Sequence, residues 1–176
     1  NGQPGASVGL NLRYSFTSSV VDDAALNPDF SQVEADAAQI DVNSTFALFY
    51  PERRPFFQEG SDLFSTYVSA VYTRSINDPA GAGKLTGRAG RTSVGFITAR
   101  DDHTPVILPF EERSAILAAG RSTSNIVRAK QTFLEDSFLG ALVTARRLAG
   151  GGSGSVLGLD GSLRFARNYR LRGQAL

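Results

Sequence analysis

The stretch Ser7-Val8-Gly9-Leu10-Asn11-Leu12-Arg13-Tyr14-Ser15-Phe16-Thr17 alternates polar or small residues with apolar ones almost without error. The stretch Ser155 to Ala166, SVLGLDGSLRFA, does the same near the other end of the chain. A period of two means extended strand, with one face in apolar surroundings and the other wet. Val8, Leu10, Leu12, Tyr14 and Phe16 share one side, and Ser7, Gly9, Asn11, Arg13, Ser15 and Thr17 the other. A strand of this length is long for a soluble sheet, but about nine to eleven tilted residues cross a bilayer.

Composition narrows the class. The chain has 176 residues, enough for one domain with a sizeable core. Its hydrophobic content of 41% and mean hydropathy of −0.12 exclude both a helical membrane protein and a disordered tail. No run approaches eighteen consecutive apolar residues; the densest, Phe138 to Ala145, is strand-sized. The absence of cysteine rules out disulfides, a thiolate metal site and a cysteine nucleophile together. A net charge of +1 makes no electrostatic case for nucleic acid. Only Lys84 and Lys130 are lysine; the other basic residues are arginine, which keeps its charge and suits a paired polar interior. No signal-peptide pattern opens the sequence. With Asn1 at the start and Gln174-Ala175-Leu176 still alternating at the end, it reads as a piece of a longer polypeptide.

Along the chain, strand patterns alternate with turn chemistry. Ser18-Ser19 turns into a strand over Val20 to Leu26, which stops at Asn27-Pro28. Residues 31 to 42 are ambiguous, and Phe46, Leu48 and Tyr50 alternate again. Pro51 to Phe64, dense in charge and aromatics, reads as an ordered loop or plug-like insertion, and Tyr67 to Ile76 as a strand. Ala82 to Ala89 and Thr92 to Arg100 form a hairpin about Gly90-Arg91. Residues 101 to 112, with two prolines and the single histidine, read as the longest clear loop. Strands follow at Ser114 to Arg121, Asn125 to Phe133, Ser137 to Arg146, Ser155 to Ala166 and Tyr169 to Leu176. The expectation is an all-β antiparallel meander over residues 1 to 176, forming part of a transmembrane β-barrel. Periodicity by itself also fits a soluble sheet with its apolar face inward. Eighteen glycines, many inside strand patterns, fit the bends and close packing of a barrel better.

Four segments carry a resemblance. NPDFSQVEAD (27–36), FYPERRPFFQEGSDLF (49–64), GAGKLTGRAGRTSVGFITA (81–99) and FLEDSFLGALVTA (133–145), with the final strands, resemble an uncharacterised bacterial envelope family. Its members are predicted to have a carboxy-terminal outer-membrane β-barrel, often preceded by a carbohydrate-binding domain of the family-nine type. The resemblance implies a barrel and an outer-membrane address. It brings no catalytic residues and assigns sugar binding to no residue of this stretch.

Each chemical constellation has a structural competitor. Gly81-Ala82-Gly83-Lys84 departs from a phosphate-binding loop, because the first glycine would fall at Asp78 and Leu85 follows the lysine. His103 beside Asp101 and Asp102 reads as a solvated turn. Asp29, Glu34 and Asp36 could serve as paired carboxylates, but the expected role is to meet arginines such as Arg53 and Arg54 inside the barrel. The residues expected at the lumen or rim are Asp29, Glu34, Asp36, Glu52, Arg53, Arg54, Lys84, Arg88, Asp160, Arg164 and Arg172. No catalytic residue, metal or cofactor is expected. The expected function is a structural or solute-passage role, with the lipid bilayer and glycans or small anionic solutes as partners. The alternatives are a soluble or periplasmic glycan-binding module and, more weakly, a carboxylate-dependent hydrolase.

Overall fold

A computed structural model of the chain describes residues 9–27, 51–77, 79–109, 114–134, 136–166 and 168–176, with the backbone alone at 105–109 and 114–118. Strand β1 (Leu10–Thr17) turns through Ser18-Ser19 into β2 (Val20–Leu26). An insertion over residues 51–77 holds two single-turn helices, α1 (Pro55–Gln58) and α2 (Ser61–Phe64), and a 3-10 turn at Thr73–Ser75. Then come β3 (Pro79–Ala89), β4 (Thr92–Asp101), β5 (Pro105–Pro109), β6 (Ser114–Ala118), β7 (Ser122–Phe133), β8 (Ser137–Leu148), β9 (Ser153–Phe165) and β10 (Tyr169–Ala175).

The architecture is an all-β antiparallel meander. Eight strands pair in the order β1-β2-β3-β4-β7-β8-β9-β10, and β5 and β6 form a separate ribbon between β4 and β7. The sheet is open: among the described residues β1 and β10 have a strand neighbour on one side only. Connections at one end are tight, at residues 18–19, 90–91, 134–136 and 166–168, whereas the opposite end carries the long 27–78 and 102–121 connections and the short one at 149–152.

Two segments differ from the sequence expectation. Tyr67 to Ile76 is not a strand. Its backbone groups are taken by side chains instead of a ladder: Gln174 bonds both Val68 N (2.6 Å) and Val68 O (2.9 Å), and Arg54 donates to Thr73 O (2.9 Å) and Ile76 O (2.6 Å). Backbone groups paired in this way have no need of a neighbouring strand. Within 101–112, β4 runs on to Asp101 and β5 pairs with β6, register Ile107 to Ile116. The apolar run Val106-Ile107-Leu108 suits a strand, and a two-stranded ribbon tolerates Pro105 and Pro109 at strand ends.

The two faces of the large sheet differ in what covers them: one is exposed and mostly apolar, and the other lies under the insertion and mixes apolar with charged residues. Outward, one row crosses the sheet in register as Tyr14, Asp22, Leu85, Phe96, Val127, Val143 and Leu157. Its large apolar members are exposed, as are Leu10 (59%), Leu12 (64%) and Phe16 (61%) of β1. Inward, Ala82, Ile97, Ala99, Ile126 and Leu142 pack against Phe57, Phe64 and Ile76 of the insertion, forming the buried core. Burying each such large apolar side chain stabilises the docked insertion by about 1.5–3 kcal/mol.

Candidate functional site

The insertion roofs an inner face on which charged groups alternate with the core residues. Lys84 follows from the β3 pattern, which puts Lys84, Thr86 and Arg88 opposite Leu85. It is buried, with Nζ donating to Phe56 O (2.6 Å) and Glu59 O (3.0 Å) and lying 3.2 Å from Asp23 Oδ2. Three acceptors match the three N–H groups of an ammonium, so Lys84 clamps the end of α1. Arg13 of β1 joins this cluster through Glu59 and through Asp23 at 3.6 Å.

A second cluster spans three strands. Arg128 on β7 and Asp160 on β9 are both buried and pair through two N–H···O bonds of 2.5 and 2.8 Å, passing over β8 between them. The remaining direction of the guanidinium is used by Nε, which donates to Leu63 O at 3.0 Å. Gly140 of β8 lies directly beneath: a Cβ there would come within 2.6 Å of Arg128 Nη2 and 2.7 Å of Asp160 Oδ1. The α2 helix likewise seats over Gly95, where a Cβ would meet Phe64 at 2.6 Å and Leu63 at 2.8 Å.

Within the insertion, Arg54 forks onto Glu52, Nε to Oε1 at 2.8 Å and Nη2 to Oε2 at 2.7 Å. Thr73 Oγ1 also donates to Glu52 Oε2, at 2.6 Å. Burial pushes the Glu52 carboxyl up, but the bonds from Arg54 and Thr73 and the charge of Arg54 outweigh it and hold the group below its ordinary value.

The expected lumen and rim residues therefore divide. Glu52, Arg54, Lys84 and Asp160 sit in satisfied pairs that fasten the insertion to the sheet or close on themselves. Arg53 is exposed, and Arg88 is exposed with Nε 3.3 Å from Gly90 O. Arg164 pairs with Asp136 at 2.6 Å, both side chains exposed beside the tight turn at 134–136. Asp29, Glu34 and Asp36 lie outside the described residues. Arg128 escaped the sequence reading, although its signal was present in β7, where it shares a face with Ser124 and Ile126. Among the described residues no three His, Cys, Asp or Glu side chains gather as metal ligands.

Arg172 lines a different region, a cavity of about 420 Å³ between the inner faces of β7 to β10 and the insertion. Tyr67, Lys130, Asp136, Phe138, Ser162 and Arg170 line it too.

Residues 3–89, which run from before β1 through the insertion to the end of β3, match the model of a domain of unknown function (DUF5916). Over that stretch the chain is similar to an uncharacterised family. No curated protein and no solved structure matches the chain.

Proposed function

We propose that this chain is part of the wall of a bacterial outer-membrane β-barrel, with a structural or solute-passage role. The outer face of the sheet meets lipid, and the insertion fills part of the lumen side. The observation that carries this reading is the contrast between faces: exposed apolar rows outside, buried ion pairs inside. Monomeric soluble proteins rarely leave so extensive an apolar surface open, whereas barrel walls alternate apolar outward and polar inward.

Two further features support it. Phe16, Phe133, Phe165 and Tyr169 are exposed and cluster at the tight-turn end, as residues of an aromatic girdle would. Every connection at one end is a short turn, whereas the other end carries two long connections beside the short one at 149–152, an asymmetry that follows the same architecture. None of the described helices is long and apolar enough to cross a membrane, so in this reading the crossing is by strands.

The test is the detergent dependence of the purified chain. Light scattering should show a monodisperse species in micelles and aggregation once detergent is removed; a monodisperse detergent-free protein would refute the wall assignment. Single-channel recording then separates the two roles. Solute passage predicts conductance that changes in Arg164→Glu and Arg172→Glu, and a silent bilayer leaves a structural role.

A further inference from the structure

The inner face pairs its buried cations with care. Lys84 has Asp23, Arg54 has Glu52 and Arg128 has Asp160. In the cavity between β7 to β10 and Tyr67 the cations are instead half-buried, as Lys130, or exposed, as Arg170 and Arg172, where an arriving solute can reach them. Strand register sets Phe138, Ser162 and Arg172 side by side across β8, β9 and β10. Lys130 Nζ lies 4.1 Å from the centre of the Phe138 ring, and Arg172 Cζ lies 5.8 Å from that of Tyr67. The two rings stand 6.5 Å apart. Aromatic faces attract and orient cations but accept no strong hydrogen bond, so the N–H groups keep their capacity to donate.

Neither Lys130 nor Arg172 has a carboxylate within ion-pair distance among the described residues. The nearby acid, Asp136, bonds Arg164 at 2.6 Å and stands 3.9 Å from Arg170. Among the described residues the cavity thus carries three cations, Lys130, Arg170 and Arg172, against one carboxylate that is already shared. Ser162 supplies an independent observation: it is 95% buried, and its hydroxyl finds no hydrogen-bond partner among the described residues. A buried hydroxyl without a partner is costly, and native proteins rarely keep one without a use.

We infer that this cavity is a binding site for a small oxyanion, the carboxylate or phosphate group of a solute, received by Arg172, Lys130 and the Ser162 hydroxyl. Its volume of about 420 Å³ lies within the range of small-molecule sites. Charge-assisted bonds from the guanidinium and ammonium supply affinity, and the hydroxyl finds its partner. The flanking rings leave room for an apolar ring on the solute. The inference deepens the lumen reading and rests on it for how the solute arrives, whereas the site itself is built from the inner face and the insertion.

Calorimetric titration of the purified full chain in an uncharged detergent, with inorganic phosphate and with benzoate, tests it. The expected result is saturable binding that weakens with added salt. Affinity should fall roughly tenfold or more in Arg172→Gln and in Lys130→Gln, and by less in Ser162→Ala. Arg53→Gln, an exposed arginine elsewhere on the insertion, should bind like the parent. Ser162→Ala removes only the unpartnered hydroxyl, so it keeps the fold and guards against loss by misfolding. Absence of saturable binding for both anions, or equal affinity in all four variants, would overturn the site. A chain that needs detergent yet binds neither anion removes the site and leaves the wall. One that is monodisperse without detergent and still binds phosphate removes the wall and leaves the site.

Discussion

Gly140 shows how a residue without a side chain acts through its neighbours. The Arg128–Asp160 pair must cross β8, and only a glycine at this register leaves space for a guanidinium and a carboxylate to meet above the strand. Removing one partner strands the other charge in a buried site, so Asp160→Ala should cost about 3–5 kcal/mol. Replacing both, Arg128→Met with Asp160→Leu, should recover most of that loss, because no charge is left to desolvate. Gly140→Ala should cost about 1–3 kcal/mol by crowding the pair, and distinctly less in the doubly apolar background. Reversible urea unfolding in micelles measures all four; an equal cost of Gly140→Ala in both backgrounds would show that its role is not to admit the pair.

The insertion is the element whose placement depends most on polar chemistry. Its two helices are single turns and cannot stand alone, so docking through Phe57, Phe64 and Ile76, Lys84 and Arg128 holds it. The Glu52–Arg54 pair fixes its internal shape and makes that shape pH-sensitive. The folded Glu52 pKa lies below its usual 4.5, so this contribution is fully present above about pH 4.5 and is lost as pH falls through the depressed folded value. Limited proteolysis or amide exchange across residues 51–77 should report the loosening below pH 4.5. Glu52→Gln should loosen the insertion at neutral pH and flatten that pH response. A variant with the parent's pH profile would place the sensitivity elsewhere.

At the scale of the whole sheet, the question is what touches the outer face. Val127 sits mid-row between Phe96 and Val143, far from either end of β7. Against lipid, Val127→Arg should cost about 2–4 kcal/mol, the penalty for a cation near the bilayer midplane. Against water the same change should fall within about 0.5 kcal/mol of neutral. Folding equilibria in lipid vesicles read the difference directly, and a neutral Val127→Arg would argue for a solvated face.

Much of the sheet was legible because strand periodicity is local. The alternation of β1, β3, β4 and β9 names the residues on each face, and Ser18-Ser19 and Gly90-Arg91 mark tight turns whatever lies around them. The tertiary structure decided what the period cannot carry. It laid residues 51–77 over the inner face, turned the apparent strand at 67–76 into a segment held by Arg54 and Gln174, and brought Arg128 to Asp160 across 32 residues of chain. It also left Ser162, Lys130 and Arg172 around one cavity. The physical reason is range: an alternating pattern encodes which side of a strand is apolar, whereas a side-chain hydrogen bond depends on a partner that only the paired register and the docked insertion bring within about 3 Å.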